Sequence, residues 1–321
     1  MPSPDAPAAR LRIAHADRSD ALLRFEFDPG PVHPQRIACE RLDGPAEPES
    51  WWNGEIHESA ETVGAAWAHG DAYAMVAVSV EEGAGGVEAA AAEAYTRLLS
   101  AVRPTRHPYL LRIWNYFAAI NVGQGDAERY RRFCVGRARA VDANFNTPPP
   151  AATAIGTDGE PGRVQLIALC ARAPAIALEN PRQTPAWRYP REYGPVSPGF
   201  SRGALLDADT AQPRLLASGT ASIVGHVSRN VDDVGAQLLE SVANLEALLA
   251  EGSAKAQGEF RLTGCEALRV YLRDPADLAR VQAAVAQTAL PAERVVYLQG
   301  DVCRRELSVE LEGVFAAAAP P

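Results

Sequence analysis

No CxxC pair occurs in this chain, and its five cysteines, Cys39, Cys134, Cys170, Cys265 and Cys303, are odd in number and widely scattered. Such spacing suggests neither a disulfide framework nor a zinc knuckle, and reduced thiols fit a cytosolic enzyme. The six histidines lack the HxH or HExxH spacing that sets two ligands on one face. Neither a metal nor a cofactor is expected. Missing as well is any apolar run near the roughly 18 residues that span a bilayer. The opening MPSPDAPAARLRIAHADRSD lacks the basic-then-apolar order of a secretory signal and carries acids that a transit peptide avoids. The expected setting is the cytoplasm, with no membrane partner. Positive charge is not in excess either. A net charge of −9 argues against a nucleic-acid partner, although a local arginine cluster can still hold a small dianion.

What is present is a chain of 321 residues, 47% apolar and 22% charged, long enough for two ordinary domains with ample core. A weak internal repeat runs through it. In the first half, 72–81 reads as a strand, 87–102 as an alanine-rich amphipathic helix, 107–117 as an apolar strand and 127–141 as a basic helix; a hairpin ending in 164–171 closes the unit. In the second half, 214–227 is strand-like. The helix 231–250 places Val234, Leu238, Val242, Leu245 and Leu249 on one face. A strand at 268–272, a helix at 275–287 and strands at 295–298 and 307–315 complete it. The expected fold is α+β, with two tandem units. The expected domains are 1–178 and 179–321.

The stretch GDVCRRELSVELEG, 300–313, holds the leading candidate. Leu307, Val309, Leu311 and Phe315 alternate with Ser308, Glu310 and Glu312, the period-2 pattern of a half-buried strand. Glu310 and Glu312 therefore share a face, turned either to water or into a site where one carboxyl acts as a general acid. Aligning the closing strands of the two halves, VQLIALCA over VELEGVFA, puts Gln165 at the place of Glu310 and Ile167 at that of Glu312. Only the second unit keeps the acids.

Between the halves, ENPRQTPAWRYPREYGPVSPGFSR (179–202) is too rich in proline, arginine and aromatics for a flexible tether. It reads either as a rigid wall that recognises a planar anion or as a strap packing one domain on the other.

Together with RIWNYFAAIN, ERYRRFCVGRARA, LASGTASIVGH, ALRVYLRDPAD and GDVCRRELSVELEG, this segment resembles the chorismatases, the group that includes 3-hydroxybenzoate synthases. The resemblance covers nearly everything after about Leu110, and nothing is carried over onto the first hundred residues. It implies a RidA/YjgF-like fold related to the trimeric chorismate mutases, each unit a mixed sheet backed by helices on one face. The implied partner is a small molecule, chorismate, a dianion with a ring carboxylate and an enolpyruvyl ether, and pyruvate is the implied coproduct.

Such a substrate calls for two cationic anchors and a proton donor whose pKa is raised by burial. The resemblance gives Glu310 the donor's role. Arg137, Arg191 and Arg202 are the candidate anchors, because a guanidinium grips a carboxylate through two parallel hydrogen bonds. Tyr189 can add a hydroxyl, and the resemblance favours Arg137 and Tyr189 most. Arg294 joins them because RidA proteins bind a carboxylate with an arginine before the corresponding strand. Cys303 is expected to shape the pocket rather than act as a nucleophile, and in the family a cysteine there accompanies the hydroxybenzoate-forming branch. Gly219 and Ala221 in SGTAS are placed on the opposite wall, although a glycine within a strand also marks bulges.

The reading is therefore a cofactor-free enzyme making 3-hydroxybenzoate, with 4-hydroxybenzoate as a further product, and pyruvate. The alternatives are a chorismate hydrolase, a RidA-like imine or enamine deaminase, and a non-catalytic metabolite-binding protein. A monomer and a homotrimer are both compatible with two units per chain.

Overall fold

The computed structural model describes residues 10–318 except 29–34, 63, 144, 146 and 147. Its strands and helices follow the repeat. An N-terminal portion contributes β1 (Arg12–His15), β2 (Leu23–Phe27), β3 (Arg36–Ile37), β4 (Arg41–Asp43) and β5 (Glu49–Trp52). The first unit comprises β6 (Glu58–Thr62), β7 (Ala65–His69), β8 (Tyr73–Glu81), α1 (Gly86–Val102), β9 (Tyr109–Ala118), α2 (Arg129–Ala140), β10 (Ala151–Thr157) and β11 (Arg163–Ala171). Then come β12 (Ile176–Leu178), β13 (Gly203–Leu206), β14 (Arg214–Ala221), the ribbon β15 (Ile223–Val224) and β16 (Val227–Ser228), and α3 (Val234–Ser253). The chain closes with β17 (Cys265–Leu272), α4 (Leu278–Val285), β18 (Val295–Gln299) and β19 (Val309–Ala316).

Two sheets face each other. The first has the order β10-β9-β11-β8-β7-β6 and the second β12-β13-β14-β19-β17-β18-β4. Met75, Trp114, Tyr116 and Ile167 of the first pack with Leu216, Tyr271, Leu298 and Val314 of the second in one apolar layer. Leu23, Phe25, Ile37 and Trp51 of the N-terminal strands belong to the same layer. Each outer sheet face is covered by a helix pair: α1 and α2 on the first, α3 and α4 on the second. The tandem α+β architecture expected from the sequence is thus present.

Local chemistry explains the elements. The run YAMVAVSV of β8 is buried throughout because this strand lies inside a sheet covered on both faces. In α3, the five-residue stripe read from the sequence is buried, and the Asp233 carboxylate caps the helix by accepting from the Ala236 N–H at 3.1 Å. That cap starts the helix at Val234, not at 231 as the spacing predicts. In α2, Gly136 permits close approach to α1, since a Cβ there would lie 2.0 Å from the Glu88 carbonyl oxygen. Arg132 and Arg139 both pair with the Glu88 carboxylate across the same contact.

Three expectations are corrected. No hairpin closes the first unit: β10 and β11 flank β9, parallel and antiparallel to it respectively. The continuous strand predicted over 214–227 stops at Ala221 and resumes as the β15–β16 ribbon. Finally, β19 is buried on both faces rather than half-buried. Val309, Leu311 and Phe315 pack toward α3 and α4, while Glu310, Glu312 and Val314 take the face toward the first sheet. The predicted parity holds, but the other side is protein, not water.

Strand register supports the alignment of the two halves. Gln165 lies opposite Tyr116, and Glu310 lies opposite Tyr271. These two tyrosines meet between the sheets with their hydroxyls 3.0 Å apart.

Candidate active site

A cavity of about 290 Å3 opens between the first unit and the second, near the lower end of the ~300–1,000 Å3 typical of small-molecule sites. The helix α2, the strands β10, β14 and β19, the 179–202 segment and the loop from β18 to β19 all contribute to its wall. Glu310 sits in that wall, 5% exposed. Among the described residues, no hydrogen bond reaches its carboxyl. Burial, then the nearby Glu312 carboxylate, pushes its pKa up to about 8, against smaller opposing effects of Arg112 and Arg202. The group therefore keeps its proton near neutral pH and can donate it.

Glu312, two residues along the same face, has the opposite surroundings. Its carboxylate accepts hydrogen bonds from Arg269 Nη1 at 2.9 Å, from the Tyr271 hydroxyl at 2.7 Å, and from Arg112 and Thr153. Arg269 in turn donates to both oxygens of Glu49, at 2.5 and 3.1 Å, and lies 3.9 Å over the Phe25 ring.

Gly219 falls at a register shift in β14, so it is a bulge residue and a wall residue at once. A Cβ there would come within 2.0 Å of Glu310 Oε1. Its N–H donates to Thr153 Oγ1 at 2.9 Å. Ala221 pairs directly with Glu310 across the strands and also lines the cavity.

Guanidinium groups line the same cavity as the acid. Arg137, 7% exposed on α2, donates to the Gly199 carbonyl. Arg202 donates to the Thr184 carbonyl at 2.9 Å and the Tyr189 hydroxyl at 2.8 Å, which fixes Tyr189 in the wall. Cys303 borders the cavity; burial, with the Glu310 charge second, holds its thiol protonated far above the usual range. A protonated thiol is a poor nucleophile, so its contribution there is shape.

This geometry coincides with a family match. A profile described as chorismatase FkbO/Hyg5-like, N-terminal, matches residues 49–170. A chorismatase of Streptomyces rapamycinicus is 37% identical over 276 residues, which span 84% of this chain and 82% of that one. The chain belongs to the chorismatase family. A 3-hydroxybenzoate synthase of Streptomyces hygroscopicus is 35% identical over 281 residues, covering 84% of this chain and 82% of the relative. A chorismatase crystal structure superposes with a TM-score of 0.82 at 29% identity, covering 97% of this chain and 100% of that one. The family profile begins about sixty residues before the motifs that reveal the family by eye.

Seven of the nine residues singled out from the sequence meet at this chorismatase-family cavity: Glu310, Arg137, Tyr189, Arg202, Cys303, Gly219 and Ala221. Two do not. Arg191 is exposed outside the wall, paired with Asp126 at 2.5 and 2.9 Å. Arg294 is exposed in the turn before β18, away from the cavity. Arginine content alone could not separate these from the buried ones.

Other residues were missed. Arg304, beside Cys303, stacks 3.9 Å over the Tyr193 ring and donates to the His226 carbonyl at 2.8 Å. Among the described residues its buried Nη2 has no partner, which leaves a donor beside the cavity. Arg273 binds the carbonyls of Val302, Arg304 and Leu307 and the Asp301 carboxylate, and so pins the loop that carries Cys303. The adjacent arginines in VCRREL were the available signal for Arg304; nothing local pointed to Arg273. Both readings of the 179–202 segment apply, because Arg182 straps it to Asn244 and Glu240 of α3 while Tyr189 and Arg202 form cavity wall.

Proposed function

We propose that this enzyme converts chorismate to 3-hydroxybenzoate and pyruvate, with Glu310 as the proton donor. The observation that carries the reading is a buried carboxyl, without a hydrogen-bond partner among the described residues, that lines the same pocket as two guanidinium groups. Arg137 and Arg202 take the two carboxylates of the dianion, with Tyr189 supporting Arg202. Bound anions offset the charge of Arg202 and so help Glu310 keep its proton.

Glu310 delivers that proton to the methylene carbon of the enol ether. The ring C–O bond then breaks with its electrons going to the departing pyruvate, while the neighbouring ring hydroxyl oxygen closes an epoxide and returns its proton to the Glu310 carboxylate. Opening of the epoxide with loss of a ring proton gives the aromatic acid. Hydroxybenzoate plus pyruvate contains the same atoms as chorismate, so no water is consumed. Cys303 in the wall and the 3-hydroxybenzoate synthase among the relatives favour this branch over hydrolysis. Opening of the same epoxide in the other sense yields 4-hydroxybenzoate as a minor product.

Purified protein incubated with chorismate should release pyruvate, read by a lactate dehydrogenase couple, and one equivalent of hydroxybenzoate, read by chromatography. Absence of pyruvate rules out the reaction, and pyruvate with a nonaromatic diol moves the enzyme to the hydrolase branch. Turnover should also fall about tenfold per pH unit above about 8, as Glu310 ionises. A flat profile to pH 10 excludes it as donor. Gly219→Ala should lower turnover about 10²-fold by displacing the Glu310 carboxyl, with circular dichroism unchanged. Activity within twofold of wild type would show that the displacement has no catalytic consequence.

A further inference from the structure

The strand that presents Glu310 carries a second carboxylate that the proposed reaction does not use. Glu312 is 2% exposed and yet accepts four hydrogen bonds, from Arg112, Thr153, Arg269 and Tyr271. Two of these four donors are guanidinium groups. Glu310 has the same face and a comparable burial but, among the described residues, no donor. Two carboxyls about 7 Å apart on one strand face thus have opposite surroundings, one held by four donors and one by none among the described residues.

We propose that Glu312 is a positioning residue whose negative charge adds to burial in holding the proton on Glu310, and that the first unit and N-terminal strands supply the groups that keep that charge in place. Arg112 comes from β9 and Thr153 from β10, and Glu49 of β5 balances Arg269. Four buried charges, Glu49, Arg269, Glu312 and Arg112, form a neutral set in which only Glu312 adjoins Glu310 along the strand. The first unit has Gln165 and Ile167 where the second has its acids. It has lost its own carboxyls but supplies the groups that organise the remaining pair.

The groups facing Glu310 come from every neighbouring element. Glu312 lies on its own strand, Arg112 on β9, Arg202 just before β13, Tyr130 and Arg137 on α2, and Cys303 on the adjoining loop. Burial keeps Tyr130 and Cys303 neutral, with their pKa values raised, and the charges that bear on Glu310 are Glu312 against Arg112 and Arg202, with Arg137 and Arg304 further along the cavity wall.

This inference rests on Glu310 as the proton donor, and its test separates the two. Infrared difference titration of the substrate-free enzyme reads the protonated carboxyl band of Glu310 directly, assigned by its loss in Glu310→Gln. In Glu312→Gln the titration should move down by about one to two pH units, as expected for charges about 7 Å apart in a protein interior. In Arg112→Gln it should move up, and in Glu312→Asp it should move by less than half the Gln shift. The alkaline limb of turnover should follow each shift. Opposite signs for the two charge removals are what mere structural support does not produce. Titration of Glu310 unmoved, or moved in the same direction in both variants, overturns the inference even if chorismate is turned over. If Glu312→Gln does not fold, Arg112→Gln alone still decides by its sign. Shifts of the expected signs in an enzyme that releases no pyruvate uphold the inference and remove only the assigned reaction.

Discussion

Glu310→Gln should lower turnover by about 10²- to 10⁴-fold and, at the same time, stabilise the protein at neutral pH. Both effects arise from burial. In the folded protein the Glu310 pKa is raised from 4.5 to about 8. A raised carboxyl pKa contributes stability that is fully present below about 4.5 and is lost as pH rises toward 8, because the unfolded chain gives up its proton first. At pH 7 the loss is on the order of 3 kcal/mol. Gln carries no such titration. Melting curves of the two proteins should therefore run close together at pH 4.5 and separate by several degrees at pH 8, with the variant higher. Parallel curves across that range would mean that Glu310 is not held protonated.

The second large effect is on stability alone. Arg269→Leu removes the cation shared by Glu49 and Glu312, both 2% exposed, and leaves two buried carboxylates with Arg112 as the remaining partner. Breaking a buried pair from one side costs about 3–5 kcal/mol, and this arginine serves two. A fall in melting temperature of about 10 °C is expected. The exposed Arg280, near Asp233 and Asp277 at 3.7 and 3.2 Å, is the comparison: Arg280→Leu should stay within about 1 kcal/mol of wild type. Combining Arg269→Leu with Glu49→Leu should recover part of the loss, because Arg112 and Glu312 then remain as a neutral pair. Simple additivity of the two losses would show that the charges do not act as a set.

These two outcomes concern residues with very different visibility in the sequence. Glu310 could be found from the chain alone: period 2 set its face, the repeat showed its partner position occupied by Gln165, and the surrounding motif resembled a known family. Arg269 and Glu49 could not. They are 220 positions apart, and Arg112 and Glu312 are 200 apart. A strand's periodicity reports which side chains share a face, not what covers that face. Hence the period alone read the acids of β19 as facing water sooner than a site.

The arginines show the same division. Arg137 and Arg202 reach the cavity because α2 packs tightly on α1 and because Arg202 is tied to Thr184 and Tyr189 of its own segment. Arg191, in the same segment and of the same composition, turns outward to Asp126. Arg294, placed by analogy with related proteins, stays on the surface. Meanwhile Arg304 enters the wall through a loop that Arg273 holds from the end of β17, the strand between the two that the loop joins.

The sequence by itself determined the repeated α+β order, the helical stripes, the shared face of Glu310 and Glu312 and the family, because these depend on local periods and on motifs. Only the tertiary structure decided which guanidinium groups line the cavity and which carboxyl is held by donors while the other is left without one. Those outcomes depend on neighbours supplied by strands far apart in the chain, and on burial, which exists only once the two sheets have closed on each other.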